Sequence, residues 1–595
     1  MNDTYGRKRA GHPAHAIRPR RITGGTGMEL VQKTIGGCLK ETASHIGQQT
    51  AIEFEDWRCT WTELDEVTDL LAARFMTAYD IQKGTHVGIW SQNSPAFAQA
   101  VLALYKLGAV VVVLNAANST DEMIDQLDRA DVEVLFYGAG SRSSIFDEMI
   151  PKIRRNTPKV RYFLHIEERE AGKWLRPDSF SERSRKSLPV EEVRKNLENL
   201  PSETPACIIF TSGTTSKAKP VVLTHYGIVN VNLHVQKCMR WTTDDKTVVS
   251  VAMYHGFGLN TALAGSVIVG MTMHIVPSFR TQFVWEAISE YRCTVMLGVP
   301  SMYLALVRKE GNEVYDGSSL RSGIIGGSVI TTEEFKEICR RFPQAHLIPS
   351  FGMTEASTSG SFSDWDNPLR SGEVTGGAFY EDTMARVRDI NTGEIVGWST
   401  EADPVVNPDG TKKREFGKPG ELELAGFNIF KEYYKMPKET AETMTEDGWL
   451  KTGDIGYFNE FDEICITGRR KEMIIRSGEN ISPREIEKAI IQSGMTKQVK
   501  VVGVPNVFTQ EEIAACIVVE EGQDFDPKAL LQFLKPRLSY FKIPKYIFTF
   551  HELPMTASGK VRLGALKEIA ARNAADEAGL RAVGTTGNYA KAIYE

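Results

Sequence analysis

Short apolar runs alternate with helix-like segments along most of the chain. Residues 96–107 form an apolar, helix-forming stretch that ends at Gly108, and the run AVVVVL at 109–114 follows as a buried strand. Further apolar runs occur at 206–210, 221–223, 294–299 and 346–351. Alternation of this kind is typical of α/β folds. The pattern therefore predicts an α/β protein with mixed helical and strand elements.

The pattern divides the chain of 595 residues into four parts. Residues 28–470 are predicted to form a large N-terminal domain of layered sheets and helices. A charged turn at 469–471 precedes a shorter α/β stretch, which predicts a small C-terminal domain over 471–570. Its predicted elements are strands at 499–504 and 514–519 and a helix at 527–538. Residues 571–595 are rich in alanine and glycine and are expected to fray as a tail.

The first 27 residues differ from the rest of the chain. Residues 1–27 carry six Lys or Arg residues against one acid, Asp3, and have few apolar residues. This composition predicts a disordered basic tail. Attraction of the tail to anionic lipid, as a weak peripheral membrane contact, is the alternative.

The composition excludes several classes of protein. A formal net charge of -6 gives no reason to expect a nucleic-acid partner. The eight cysteines are scattered without a C-x-x-C pair, which argues against a disulfide framework and a zinc site. No stretch is long and apolar enough for a transmembrane segment, and no signal-peptide core is present. The expected location is cytoplasmic, and the oligomeric state is left open.

A loop rich in hydroxyl groups lies between two of the predicted strands. Residues 211–219 read TSGTTSKAK, and the N–H and O–H groups of such a loop can converge on phosphate oxygens. The candidate phosphate ligands are Thr211, Ser212, Gly213, Thr214, Thr215 and Lys219. The spacing is not that of a Walker A loop. From these residues alone, a flexible Ser/Thr linker is an equal alternative.

The segment SFGMTE at 350–355 follows another predicted strand. Phe351 before Gly352 offers a flat surface for a base, and Glu355 is a candidate Mg²⁺ ligand because magnesium takes one or two carboxylates plus phosphate oxygens. Alternatively, Thr354 and Glu355 simply begin a helix.

Two further motifs lie toward the C-terminus. The segment GWLKTGD ends at Asp454, which can accept hydrogen bonds from both hydroxyl groups of a ribose, and Arg469 can reach the same sugar or a phosphate. A turn with a surface ion pair is the alternative for these two residues. Lys560 ends the segment PMTASGK and is by itself a solvated lysine.

The order and spacing of the four motifs resemble those of the adenylate-forming superfamily of AMP-dependent synthetases and ligases. The resemblance extends over about 28–566. Further matches are MYHGFG at 253–258, GGS at 326–328 and RSGENISPREIE at 476–487. The last segment looks most similar to bacterial fatty-acyl and aryl-CoA synthetases.

This resemblance implies an ATP- and Mg²⁺-dependent acyl-CoA synthetase that first converts a carboxylic acid to an acyl-adenylate. It implies that Thr211–Thr215 and Lys219 hold the β- and γ-phosphates, with Mg²⁺ near Glu355. Phe351, Gly352 and Met353 would border the nucleotide, and Asp454 and Arg469 would hold the ribose. The implied catalytic residues are Lys560, Glu355, Thr354 and His255.

The resemblance also implies a second step, in which the thiol of CoA attacks after the small domain rotates. Lys471 matches the hinge position, and Ser477 and Gly478 match the face that borders the thiol. His255, Gly326 and Gly327 match the acyl pocket, together with Met353. None of these pocket residues indicates a charged group on the substrate tail, which favours a fatty or aryl acid.

The phosphate loop departs from the family pattern. Ser216 and Pro220 stand where glycine is usual, and Ala218 stands where proline is usual. A degenerate nucleotide-binding homologue is therefore an alternative, although Lys219, Glu355, Asp454, Arg469 and Lys560 are all kept. An acyl-AMP ligase that loads a separate carrier protein is the other alternative.

Overall fold

The computed structural model of the chain describes residues 28–577 except 139, 142–143, 167–185, 212–217, 400–414, 477–478, 507, 521, 523 and 556–560. The strands in this part are β1 Thr50–Phe54, β2 Trp57–Thr60, β3 His86–Trp90, β4 Val110–Val113, β5 Val134–Tyr137, β6 Gly140–Ser141, β7 Ser144–Ile145, β8 Tyr162–His165, β9 Pro205–Thr211, β10 Lys219–Thr224, β11 Lys246–Val249, β12 Thr272–Ile275, β13 Val295–Gly298, β14 Ser322–Ile325, β15 His346–Phe351, β16 Ser361–Phe362, β17 Ala378–Phe379, β18 Thr383–Arg388, β19 Ile395–Trp398, β20 Gly420–Gly426, β21 Glu432–Tyr433, β22 Leu450–Phe458, β23 Ile464–Arg469, β24 Ile474–Arg476, β25 Glu479–Ile481, β26 Gln498–Asn506, β27 Gln510–Val518 and β28 Tyr546–Phe550.

The α-helices of the same part are α1 Ile35–Ile46, α2 Trp61–Tyr79, α3 Pro95–Leu107, α4 Thr120–Arg129, α5 Phe146–Asn156, α6 Val190–Glu198, α7 His225–Met239, α8 Gly265–Val269, α9 Thr281–Ser289, α10 Pro300–Arg308, α11 Thr332–Arg341, α12 Pro437–Thr443, α13 Pro483–Ile491, α14 Pro527–Leu534 and α15 Leu563–Glu577. A π-helix at Phe257–Ala264 runs directly into α8.

Two large sheets form the N-terminal part of the molecule. One has nine strands in the order β17-β16-β15-β14-β13-β11-β12-β1-β2, and the other has seven in the order β21-β10-β9-β4-β3-β5-β8. The centre of each sheet is parallel, with antiparallel strands at both margins of the nine-stranded sheet and at the β21 margin of the seven-stranded sheet. Helices α1, α2, α3 and α7 pack between the two sheets, in one continuous apolar core.

The position of β4 between two apolar cores explains why its sequence has no alternation of polar and apolar residues. Val111 and Val113 belong to the core between the sheets, whereas Val110 and Val112 face a second core under α4 and α5. Because successive side chains of a strand point to opposite faces, a strand covered on both sides must be apolar throughout. Helices α9, α10 and α11 cover the outer face of the nine-stranded sheet in the same way.

A third sheet and a small C-terminal sheet complete the molecule. The third has five antiparallel strands in the order β19-β18-β20-β22-β23. In the small domain, β24 to β28 form one sheet, with α13 and α14 packed on one face and α15 on the other. The predicted fold class, α/β with a large N-terminal and a small C-terminal domain, is confirmed.

The individual elements follow the sequence closely, with two differences. The predicted helix at 527–538 ends at Leu534, because the chain turns before Leu538 inserts into the small core. Helix α15 continues past Ala571 to Glu577, beyond the predicted start of the tail, because Ala570 and Ala574 are buried against the small sheet. The predicted boundary at 470/471 lies in the short 3-10 turn Arg470–Glu472 and stays a prediction. Residues 1–27 lie outside the described part.

Among the described residues, no helix is long and apolar enough to cross a membrane. The longest α-helix, α2, has 19 residues and carries several charged side chains.

A buried cation ties three helices of the central core together. Lys106 on α3 is fully buried, and its Nζ lies 2.6 Å from Asp65 Oδ1 and 2.5 Å from Asp69 Oδ1 on α2. Asp69 also accepts a hydrogen bond from Arg194 Nε on α6 at 2.8 Å. Removing one partner of a buried ion pair leaves an uncompensated charge in the core.

We predict that Lys106→Met destabilises the large domain by about 3–5 kcal/mol, because Asp69 loses a cation within its buried site. The matched control is Lys40→Met, since Lys40 pairs with Glu198 on the surface, with both side chains about half exposed. That variant is expected to change stability by less than about 1 kcal/mol. Thermal unfolding followed by circular dichroism tests the difference, and equal midpoints for the two variants would contradict it.

Candidate active site

The carboxyl ends of the parallel strands in the nine-stranded sheet meet at one edge. Val299 follows β13, Gly326 follows β14 and Gly352 follows β15, and all three line the same cavity. His255 reaches this cavity from the segment between β11 and the π-helix. The ends of parallel strands are the usual place for ligand sites in α/β sheets. Motifs far apart in sequence thus share one cavity.

The cavity has a volume of about 2960 Å³ and lies between the large sheets and the small domain. The predicted site residues that line it are Thr211, Lys219, His255, Gly326, Gly327, Gly352, Met353, Thr354, Glu355, Arg469 and Lys471. Phe351 and Asp454 are not among its lining residues, although Gly352, Gly453 and Ile455 beside them are.

Glu355 is connected to Lys219 through a tyrosine that the sequence motifs did not include. Tyr433 Oη donates to Glu355 Oε1 at 2.8 Å, and Lys219 Nζ lies 4.5 Å from the centre of the Tyr433 ring. Burial, followed by the Glu355 carboxylate, raises the pKa of Tyr433 above its ordinary value, so the hydroxyl remains a donor. The Lys219 cation, the Tyr433 ring and the Glu355 carboxylate thus form a row along one wall of the cavity.

The chain around Gly352 is packed too closely for any other residue. A Cβ on Gly352 would lie 1.8 Å from the carbonyl oxygen of Thr358. Thr358 itself has φ of +88° and Ser357 has φ of +54°, so the segment after Glu355 folds back sharply on the end of β15. Phe351 is half-buried and meets Phe379 edge-on, at 6.4 Å between ring centres. The fold-back fixes Met353, Thr354 and Glu355 at the cavity wall.

Asp454 and Arg469 face each other across two antiparallel strands. They are directly paired in the register of β22 and β23, and Arg469 Nε lies 2.9 Å from Asp454 Oδ1. Asp454 is 3% exposed, and its Oδ2 has no hydrogen-bond partner among the described residues. Burial raises the pKa of this carboxyl, opposed by Arg469 and Arg484. One carboxylate oxygen is thus left for a further hydrogen-bond donor.

The wall around His255 is mainly apolar. Tyr254, Phe257, Val299 and Met302 line the cavity here, and the Tyr254 and His255 rings lie 4.9 Å apart. The following π-helix is a rare element that often occurs at functional sites. Gly327 adopts φ of +79°, a left-handed conformation that suits glycine.

Several predicted site residues lie outside the described part of the chain: Ser212, Gly213, Thr214, Thr215, Ser477, Gly478 and Lys560. Ser216 also falls there. The ends of the phosphate loop are described, and Thr211 pairs with Lys219 in the antiparallel ladder of β9 and β10. Pro220 follows within β10, and its carbonyl accepts a hydrogen bond from the Tyr434 N–H at 2.8 Å. At the end of this loop, proline is accommodated in a regular strand.

Tyr433 and Arg484 are two polar side chains of the cavity that were not among the predicted site residues. Tyr433 lies on β21, which pairs with β10 in the seven-stranded sheet, and only this long-range pairing brings it to Lys219. Arg484 lies at the start of α13 and also lines the cavity. The residues around Arg484 were part of the recognised motif, but nothing in their spacing indicated which side chain faces the cleft.

Comparisons with known proteins agree with this architecture. The family described as AMP-binding enzyme matches residues 39–434, and the AMP-binding enzyme C-terminal domain matches residues 485–560. The chain is 32% identical over 556 residues to the putative acyl-CoA synthetase YngI of Bacillus subtilis (strain 168), with 91% of this chain and 97% of that protein covered. It is 29% identical over 567 residues to the mitochondrial medium-chain acyl-CoA ligase ACSF2 of Bos taurus, with coverage of 92% and 89%.

Among solved structures, the ATP-bound MatB from Rhodopseudomonas palustris matches with a TM-score of 0.75 at 23% identity, covering 91% of this chain and 99% of that chain. This likeness bears on the fold. The predicted family and the predicted class of enzyme are confirmed. The chain therefore belongs to the AMP-binding enzyme family, within the adenylate-forming superfamily, and is an AMP-forming ligase of the general acyl-CoA synthetase type.

Proposed function

We propose that this protein is an ATP- and Mg²⁺-dependent acyl-CoA synthetase for a carboxylic acid with an uncharged, apolar tail. In the first step, a carboxylate oxygen attacks the α-phosphorus of ATP and pyrophosphate leaves, which gives an acyl-adenylate. In the second step, the thiolate of CoA attacks the acyl carbon and AMP leaves. The observation that carries the proposal is the single cavity bordered by Lys219, Glu355, Arg469 and His255.

The end of the cavity at Lys219 suits the phosphates of ATP. Lys219 is held over the Tyr433 ring without an ion pair to a carboxylate among the described residues, so its charge is available to an anion. Two anions must meet in adenylation, and fixed cations reduce their repulsion. Residues Ser212–Thr215 are proposed to donate to the same oxygens.

Glu355 fits a Mg²⁺ site beside these phosphates. It is 9% exposed, and Tyr433 bonds to only one of its two oxygens. A hard oxygen ligand that borders a phosphate site suits Mg²⁺, which binds through one or two carboxylates plus substrate oxygens. When bound, the ion neutralises charge on the leaving pyrophosphate. Tyr433 orients the carboxylate, and Thr354 is proposed to border the reacting carboxyl group.

The pair of Asp454 and Arg469 suits the ribose. The unpartnered Oδ2 of Asp454 can accept a ribose hydroxyl, while Arg469 holds the other oxygen in place. Phe351, Gly352 and Met353 are proposed to border the adenine end.

The apolar wall near His255 supports a fatty or aryl acid. Tyr254, Phe257 and Met302 offer no cation to a second carboxylate. The relative from Bos taurus is named a medium-chain acyl-CoA ligase. We therefore propose a medium-chain fatty acid as the first substrate to try.

The reaction is tested with the purified full-length chain, ATP and Mg²⁺ across aliphatic acids of increasing length and aryl acids. Hydroxylamine trapping reports the acyl-adenylate, and AMP release with added CoA reports the complete reaction. We expect both signals with the same acid. Trapping without CoA-dependent turnover would instead favour a ligase that loads a carrier protein, and no adenylate with any acid would favour a degenerate homologue.

Lys560 is proposed to bridge the carboxylate and the α-phosphate only in the first step. Lys560→Ala should therefore reduce adenylation by about a hundredfold or more while sparing thioester formation from a supplied acyl-adenylate. Single-turnover measurements of the two half-reactions provide the test. Equal loss in both would contradict a role confined to adenylation.

Tyr433→Phe keeps the ring under Lys219 but removes the hydroxyl that holds Glu355. Loss of a group that orients a metal ligand weakens metal affinity or activity by about 10- to 100-fold. We expect a rise in the Mg²⁺ concentration that gives half-maximal adenylation. Tyr434→Phe is the matched control, because the neighbouring Tyr434 hydroxyl donates to Asp131 outside the cavity lining. The same Mg²⁺ dependence in both variants would refute the assignment.

A further inference from the structure

Arg484 is a cation whose position has no evident structural purpose. It is the second residue of α13, after Pro483 and the N-cap Ser482. The N-terminus of a helix carries partial positive charge, so acidic side chains are favoured in the first turn and a guanidinium is not. Helix stability therefore does not account for an arginine here.

The guanidinium also lacks a partner among the residues that the structure describes. Arg484 Nη1 is buried and makes no hydrogen bond within the part of the chain that the structure describes. No carboxylate of the described residues forms an ion pair with it. A buried, unsatisfied donor is unfavourable, the more so when it is charged. Such a group indicates a ligand that supplies the missing acceptor.

Its position in the cleft is fixed by contacts on either side. The Ser482 hydroxyl donates to the Thr467 carbonyl of β23 at 2.6 Å, and Lys488 of α13 lies 3.0 Å from Glu373 of the large domain. The Ser482 contact places the first turn of α13 beside the strand that carries Arg469, whereas the exposed pair of Lys488 and Glu373 adds little. Arg484 lines the cavity there, as do Gly453 and Ile455, the chain neighbours of Asp454.

Two unpartnered groups of opposite charge thus belong to the same cleft, one from each domain. Asp454 Oδ2 needs a hydrogen-bond donor, and Arg484 Nη1 needs an acceptor. A nucleoside monophosphate offers ribose hydroxyl groups as donors and ribose and phosphate oxygens as acceptors. We propose that Arg484 is a nucleotide-binding residue of the small domain, which donates to an oxygen of the AMP moiety whose ribose Asp454 holds. The inference rests on the proposed function, since it assigns the ribose to Asp454.

In this arrangement, the nucleotide connects the two domains. The large domain binds it through Asp454 and Arg469, and α13 adds one cation from the other side. Removal of Arg484 should then weaken nucleotide binding without affecting the fold, because the side chain has no partner among the described residues to lose.

The test compares Arg484→Met, Arg484→Lys and the full-length wild-type chain, with AMP as the probe in isothermal titration. A hydrogen bond to a charged group corresponds to about a 10- to 100-fold change in the dissociation constant. We expect that loss for Arg484→Met, partial recovery for Arg484→Lys and a matching rise in KM for ATP. The control is Arg572→Met, because Arg572 is exposed on α15 of the same domain, away from the cavity lining.

Each outcome decides the assignment. An unchanged dissociation constant for AMP in Arg484→Met overturns it, and a rise in KM confined to CoA overturns it in favour of a role in the thiol step. A lower thermal unfolding midpoint for Arg484→Met, large enough to explain the weaker AMP binding and absent in the control, would make the role of Arg484 structural. That result would also overturn the assignment. If the wild-type chain binds neither AMP nor ATP, the proposed function fails; if it binds both and Arg484→Met binds equally, only this inference fails.

Discussion

The hydrogen bond from Tyr433 to Glu355 joins the two large sheets where they meet the cavity. Glu355 follows β15 of the nine-stranded sheet, whereas Tyr433 lies on β21 at the edge of the seven-stranded sheet. Lys219 begins β10, the strand that pairs with β21, and its ammonium group lies over the same ring. Since each sheet is rigid, one contact of this kind fixes the distance between the phosphate loop and the candidate metal ligand. The geometry of the site thus depends on how the two sheets pack against each other.

Parallel strand order brings the remaining motifs together. Residues after β13, β14 and β15 share one edge because those strands run in the same direction and lie side by side. Close packing then fixes the positions of these residues at the sheet edge, because a Cβ on Gly352 would overlap the Thr358 carbonyl oxygen. Asp454 and Arg469, the proposed ribose-binding residues, are brought together differently, because they lie opposite each other in an antiparallel register. A shift of that register by one residue would point one of the two side chains to the other face.

The fold was largely predictable because its signals are local. The run at 109–114 is apolar throughout since β4 is covered on both faces, and the helix before it ends where Gly108 adopts a left-handed conformation. The motif residues were predictable as a set from their order along the chain. Tyr433 and Arg484 were not, because their roles depend on the pairing of β21 with β10 and on the packing of α13 against β23. Helix lengths in the small domain also depended on which residues its core buries.

The cations that line the cavity differ in the partners that hold them, and the sequence alone does not reveal this difference. In the large domain, Arg469 is neutralised by Asp454 and Lys219 is held by an aromatic ring. Arg484 of the small domain has neither a carboxylate nor an aromatic ring as a partner within the described residues. A cation that is already paired gains little when a ligand arrives, because it must exchange one anion for another. An unpaired cation gains the full interaction, so a nucleotide that reaches it stabilises the arrangement of domains in which both sides touch it. Under the proposal for Arg484, this side chain is one contact through which the affinity of the cleft for a nucleotide and the position of the small domain are coupled.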